Sequence, residues 1–138
     1  MQKESKDFLS KLINAMSPSG YEEEVSDIWA ERTRLFSDSV ERDVHGNTIA
    51  VRNKKGSSRI MLAGHVDEIG YMIKYVDNEG FLYFSPIGGI DANLIPGQRV
   101  IIKTRKGKIF GVVGKKAIHL MDDDERKRAP KIEQMWID

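Results

Sequence analysis

An apolar run, Ile60-Met61-Leu62-Ala63, passes through Gly64 and ends abruptly in His65, Asp67 and Glu68. Roughly four to eight apolar residues bounded by turn signals read as a buried strand. In open α/β sheets, ligands bind just beyond the carboxyl ends of such strands. A His-x-Asp placed there points to chemistry. A neutral imidazole at His65 can bind a metal ion. Asp67 can bind the same ion or orient the histidine from behind. On local spacing alone the alternative stays open: a strand-end histidine that caps backbone groups beside two solvated carboxylates.

The flanking pattern sets the fold class. Phe8, Leu9, Leu12, Ile13 and Met16 recur at helical spacing, which predicts an amphipathic helix from about residue 5 to 16. Ser17-Pro18-Ser19-Gly20 breaks it. Ser19 with Glu22 three residues on is a capping-box signature for a second helix, with Tyr21, Val25, Ile28, Trp29 and Leu35 as its apolar stripe. Glu22, Glu23 and Glu24 then sit where carboxylates suit a helix dipole, a structural role rather than an acid/base site. Val40–Asp43 and Thr48–Val51 read as short strands around a turn at His45-Gly46-Asn47, which makes His45 a turn residue. Two helices followed by strands open an α/β or α+β domain.

After Gly70 the texture changes. Tyr71, Ile73 and Tyr75 alternate with Met72, Lys74 and Val76, then Asp77-Asn78-Glu79-Gly80 turns the chain into Phe81–Phe84. Val100–Ile102 and Ile109–Val113 flank a turn at Arg105-Lys106-Gly107-Lys108. Short strands without helical period predict a small β-barrel or sandwich, with a boundary near residue 69. Asp122-Asp123-Asp124-Glu125 lacks the alternating ligands of a calcium loop and reads as a solvated loop or short helix. A strand-like segment containing Trp136 and Ile137 closes the sequence without a polar cap, which reads as an interruption.

Composition narrows the partners. The net charge of +1 over 138 residues gives no pull toward nucleic acid or an anionic membrane. The absence of cysteine excludes thiolate-ligated zinc and disulfides and fits a cytoplasmic protein. Any metal must be held by His, Asp and Glu.

Several stretches resemble one family, the di-metal aminopeptidases of metallopeptidase family 42, the glutamyl and tetrahedral aminopeptidases also labelled cellulase M or endoglucanase M. The matching residues are Pro18-Ser19-Gly20-Tyr21-Glu22, Asp43-Val44-His45-Gly46-Asn47-Thr48-Ile49-Ala50 and, most strongly, Gly64-His65-Val66-Asp67-Glu68-Ile69-Gly70. The likeness continues through Ile87-Gly88-Gly89, Pro96-Gly97-Gln98-Arg99-Val100, Gly111-Val112-Val113-Gly114, His119 and Trp136-Ile137-Asp138. Gly64 stands where alanine is commoner in the family, and Val66 where methionine is.

The resemblance implies an incomplete zinc-peptidase-like α/β/α catalytic domain over residues 1–69, followed by an inserted small β-barrel or sandwich dimerisation domain over residues 70–138. It implies His65 as a metal ligand and Asp67 as the catalytic residue that orients it. It implies two zinc or cobalt ions per complete active site, peptide substrates, and homo-oligomers from dimer to dodecamer. The bridging aspartate, the catalytic glutamate, the remaining carboxylate ligand and the second histidine lie beyond Asp138 in the family pattern. The chain alone is therefore expected to hold no metal stably and to lack useful peptidase activity, and its unpaired sheet edges are expected to favour association. His119 reads as structural or interfacial. Two other functions are weighed: a non-catalytic oligomerisation module, and a glycoside hydrolase. The second needs two carboxylates ~5–10 Å apart in a sugar cleft, whereas adjacent Asp67 and Glu68 would point to opposite faces of a strand.

Overall fold

The computed structural model describes residues 1–138. They divide into two compact units, Met1–Glu68 and Ile69–Asp138.

In the first unit, α1 spans Lys3–Asn14 and α2 spans Glu23–Arg34. Arg32 of α2 forms an ion pair with Glu4 of α1, and its guanidinium lies 5.8 Å from the ring centre of Phe8. The inward face of α2 carries small residues: Val25, Ser26, Ala30 and Thr33 are buried, and the Thr33 hydroxyl donates to the Trp29 and Ala30 carbonyls at 3.0 and 3.1 Å. The expected stripe is thus only partly right. Tyr21 and Leu35 are exposed, because one lies ahead of the helix and the other just past its last turn. The expected capping box is absent too. Glu22 itself occupies the N-cap position, without a side-chain cap, and its carboxylate accepts the Gly20 amide at 2.7 Å.

β1 (Ser39–Arg42) and β2 (Thr48–Val51) form the expected antiparallel hairpin. Asp43 builds its turn. One carboxylate oxygen accepts the amides of His45 and Asn47, both at 2.9 Å, and the other accepts the Asn47 side-chain amide at 2.8 Å. The segment Ile60–Ala63 departs from expectation. It is not a strand, and Ile60, Met61 and Leu62 are 89%, 88% and 94% exposed. A strand needs a neighbour to take its amides and carbonyls, and here β1 and β2 pair only with each other.

The second unit is a five-stranded antiparallel sheet. β3 (Gly70–Val76) and β4 (Leu82–Ile87) form one hairpin; β5 (Arg99–Thr104) and β6 (Gly107–Lys115) form another. The three-residue β7 (Met135–Ile137) lies between them, giving the order β3-β4-β7-β6-β5. Ile137 pairs with Leu82 on one side and Val113 on the other. Met135 and Ile137 are buried together with Phe84, Ile95 and Val113 as the core of this unit. Tyr71 packs on Phe84 with ring centres 4.5 Å apart. The acidic run begins a short helix, α3 (Asp123–Lys127), whose Asp122 and Glu125 form a true capping box.

β6 comes close to β7 because it carries glycine there. A Cβ on Gly111 would lie 2.5 Å from Ile137 Cγ2 and 2.9 Å from the Asp138 carbonyl oxygen. Gly111→Ala should therefore cost about 1–3 kcal/mol as overpacking against backbone, read as a lower urea midpoint with unchanged slope. Hydrogen bonding, led by the Asn47 side chain, holds the Asp43 carboxyl below its ordinary value of 3.8. A depressed folded pKa stabilises the turn above the unfolded value, and that contribution is lost as pH falls through the folded value. Carboxyl carbon NMR titration should place the Asp43 midpoint below 3.8, and Asn47→Ala should move it back up.

Candidate functional site

The segment carrying His65 and Asp67 is held by the break between α1 and α2. Pro18 and Glu68 form an isolated parallel bridge. The Glu68 amide donates to the Ser17 carbonyl at 2.9 Å, the Ser19 amide donates to the Glu68 carbonyl at 3.3 Å, and the Ser17 amide donates to Glu68 Oε1 at 3.2 Å. Ser17 is buried. The chain then turns sharply, with the Tyr21 amide on the Pro18 carbonyl at 2.8 Å and Gly20 at φ +90°. Glycine takes that conformation without penalty. Residues 17–19 thus form a strap along the backbone of Glu68, the residue after Asp67.

The side chains follow from that strap. The Ser19 hydroxyl donates to Asp67 Oδ2 at 2.6 Å. The other oxygen, Oδ1, lies 3.0 Å from His65 Nδ1, and the Asp67 carbonyl lies 3.1 Å from the same nitrogen. Both partners of Nδ1 are acceptors, so Nδ1 carries the proton and Nε2 keeps its lone pair. The imidazole is 86% exposed, and that lone pair is free to bind. Asp67 is held below the ordinary carboxylate pKa, first by the Ser19 hydrogen bond; burial, the next-largest effect, opposes this, and His65 adds to the lowering. It is an anion at neutral pH.

The sequence reading missed Ser19, which it assigned to a helix cap. The available signal was a serine able to serve either α2 or a distant carboxylate, and local spacing favoured the helix. His45 sits in the β1–β2 turn, its amide on Asp43. His119 is exposed in a short 3₁₀ turn, Ile118–Leu120. Glu68, committed to the Ser17 amide, does not lie on a strand opposite Asp67.

The profile of the M42 glutamyl aminopeptidases matches residues 46–138. The chain belongs to that family. The lysyl aminopeptidase of Pyrococcus furiosus is 35% identical over 116 residues, covering 83% of this chain and 33% of its own length. The crystal structure of a TET aminopeptidase from the marine sediment archaeon Thaumarchaeota archaeon SCGC AB-539-E09 superposes with a TM-score of 0.92 at 34% identity, over 98% of this chain and 38% of that one. The TET1 peptidase of Pyrococcus horikoshii, which can assemble into a tetrahedron or a large octahedral shell, superposes at 0.82 with 32% identity, over 96% of this chain and 39% of its own. The chain spans about a third of the length of the curated relatives it matches.

A structural or catalytic zinc ion takes three or four protein ligands. This chain supplies one oriented imidazole, and nowhere are three potential His, Asp or Glu ligands gathered. The residues present offer one imidazole nitrogen and do not by themselves make a three- or four-ligand metal site. Isothermal titration of the 138-residue chain with zinc should show no saturable binding at micromolar protein, and His65→Ala should leave the heat unchanged. Tight stoichiometric binding lost in His65→Ala would contradict this.

Proposed function

We propose that the protein is a metal-dependent aminopeptidase, releasing N-terminal residues from peptides, and that residues 1–138 contribute His65 as a metal ligand and Asp67 as the carboxylate that orients it. The observation carrying this is the His65 Nδ1–Asp67 Oδ1 contact at 3.0 Å on an exposed ring, within a family of aminopeptidases. A ligating histidine needs its other nitrogen tied to an acceptor, and losing such a partner typically costs about 10–100-fold in metal affinity or activity. Divalent ions such as zinc or cobalt, two in a complete centre, would supply Lewis acidity toward the scissile carbonyl and an acidified water. The further ligands and the general base belong to sequence that the M42 relatives have outside the matched third. In that setting the exposed Ile60–Leu62 segment gains strand neighbours.

Residues 70–138 are read as a dimerisation domain on one observation. Ile101 and Phe110 face each other across the β5–β6 ladder, with Val112 next along the same face. They are 46%, 78% and 46% exposed, so the sheet presents an apolar surface. A single module of this kind without catalysis is the second reading. No observation of this site favours the glycoside hydrolase reading: Asp67 bonds Ser19 and His65, and Glu68 bonds the Ser17 amide.

Two measurements test the proposal. In a protein carrying residues 1–138 with a complete M42 catalytic domain, aminoacyl anilides should be hydrolysed with zinc or cobalt. There His65→Ala should abolish turnover, and Asp67→Asn should lower it about 10–100-fold. Turnover by the 138-residue chain alone, or release of reducing sugar from carboxymethylcellulose, would contradict it. In light scattering, Phe110→Glu should reduce the assembly to smaller species with the fold retained. An unchanged mass would reject this face as the interface.

A further inference from the structure

The strap explains where Asp67 sits in the chain but not why its carboxylate plane is fixed. The terminal torsion of an aspartate is broad and roughly two-fold. A single hydrogen bond to His65 leaves the second oxygen free to swing, and the Asp67 side chain is 38% exposed to competing water. His65 is 86% exposed, so packing does not set its ring. The Asp67 carbonyl meets Nδ1 at 3.1 Å from the main chain, so what remains to be fixed is the carboxylate's share of that contact, and this depends on whatever grips the far oxygen. Ser19 grips it at 2.6 Å, a short contact of the kind a hydroxyl makes to an ionised acceptor. Ser19 is in turn placed by its own backbone. Its amide donates to the Glu68 carbonyl, one residue from Asp67, and its neighbour Pro18 bridges Glu68. The hydroxyl and the carboxylate thus ride on paired backbone segments, and their separation is set by the pairing.

We propose that Ser19 is a positioning residue: its hydroxyl locks the Asp67 carboxylate against His65 Nδ1 and thereby holds the imidazole in the tautomer that leaves Nε2 unprotonated and outward. The consequence for metal binding rests on the proposed function; the tautomer itself does not. Ser19 is drawn into this work instead of capping α2, whose N-cap position is Glu22 without a side-chain cap. A third group joins the pair from a segment 48 residues away in sequence.

The test is the His65 ring tautomer, read from two-bond ¹⁵N–¹³C couplings in the 138-residue chain at about pH 8.5, where an ordinary imidazole is neutral. The wild-type ring should be mainly Nδ1–H. In Ser19→Ala the Nδ1–H to Nε2–H ratio should fall about two- to tenfold, the worth of one net hydrogen bond. Ser19→Thr, which keeps the hydroxyl, should hold the wild-type ratio, whereas Ser19→Val, which swaps that hydroxyl for a methyl at equal shape, should lose it. Amide spectra report folding of each variant. A wild-type ring that is mainly Nε2–H overturns the proposal whether or not any variant folds, as does an unchanged ratio in folded Ser19→Ala or Ser19→Val. An active peptidase with an insensitive tautomer would sink this inference alone; a sensitive tautomer in an inactive complete protein would sink the aminopeptidase reading alone.

Discussion

The candidate site depends on a backbone seam, the pairing of Ser17–Ser19 with Glu68. An exposed histidine and a part-exposed aspartate have no packing to orient them. Hydrogen bonds at a surface are individually weak because water competes for each partner. What makes the arrangement definite is that its donors and acceptors lie on segments already joined through main-chain groups. Pro18 restricts one torsion and Gly20 accepts another that other residues resist, so the strap reaches the Asp67 segment in one shape. The chemistry of His65 follows: with Nδ1 committed to two acceptors, the ring can offer only Nε2.

The second unit is organised by a different constraint. Two hairpins have no core of their own until a three-residue strand is laid between them. Met135 and Ile137 then bury against Phe84, Ile95 and Val113, and the approach is close enough that Gly111 and Gly114 have no room for a side chain. The outward face keeps Ile101, Phe110 and Val112 in the open, a patch of the kind that marks interaction sites. The first unit contrasts with this. Its buried apolar residues are Ala15, Val25 and Ala30, all small, while Val44 and Ile60–Leu62 face outward.

Much of this was legible in the residues. The β1–β2 hairpin and the later hairpin turns follow from local chemistry, because turn residues act within a few positions, and the acidic run forms one of the two things it was read as, a short helix. The His65–Asp67 pair was legible for the same reason, being two residues apart. Two readings failed where the outcome depended on distant partners. Ile60–Ala63 has the composition of a buried strand, but pairing decides strand formation, and no neighbouring strand lies beside it here. Ser19 has the spacing of a helix cap, but a carboxylate 48 residues on competes for the same hydroxyl and wins. Local pattern cannot rank an amide donor at the helix start against a distant carboxylate acceptor; the backbone seam that brings Asp67 close can.

The central claim is that His65 offers Nε2 to a divalent ion. Anomalous scattering at the zinc edge, from crystals of the zinc-loaded protein with a complete M42 catalytic domain, tests it most directly. The account predicts a peak about 2.0–2.1 Å from His65 Nε2, with Asp67 still on Nδ1. A peak on Nδ1, or none beside His65 while zinc binds elsewhere in the protein, would contradict it.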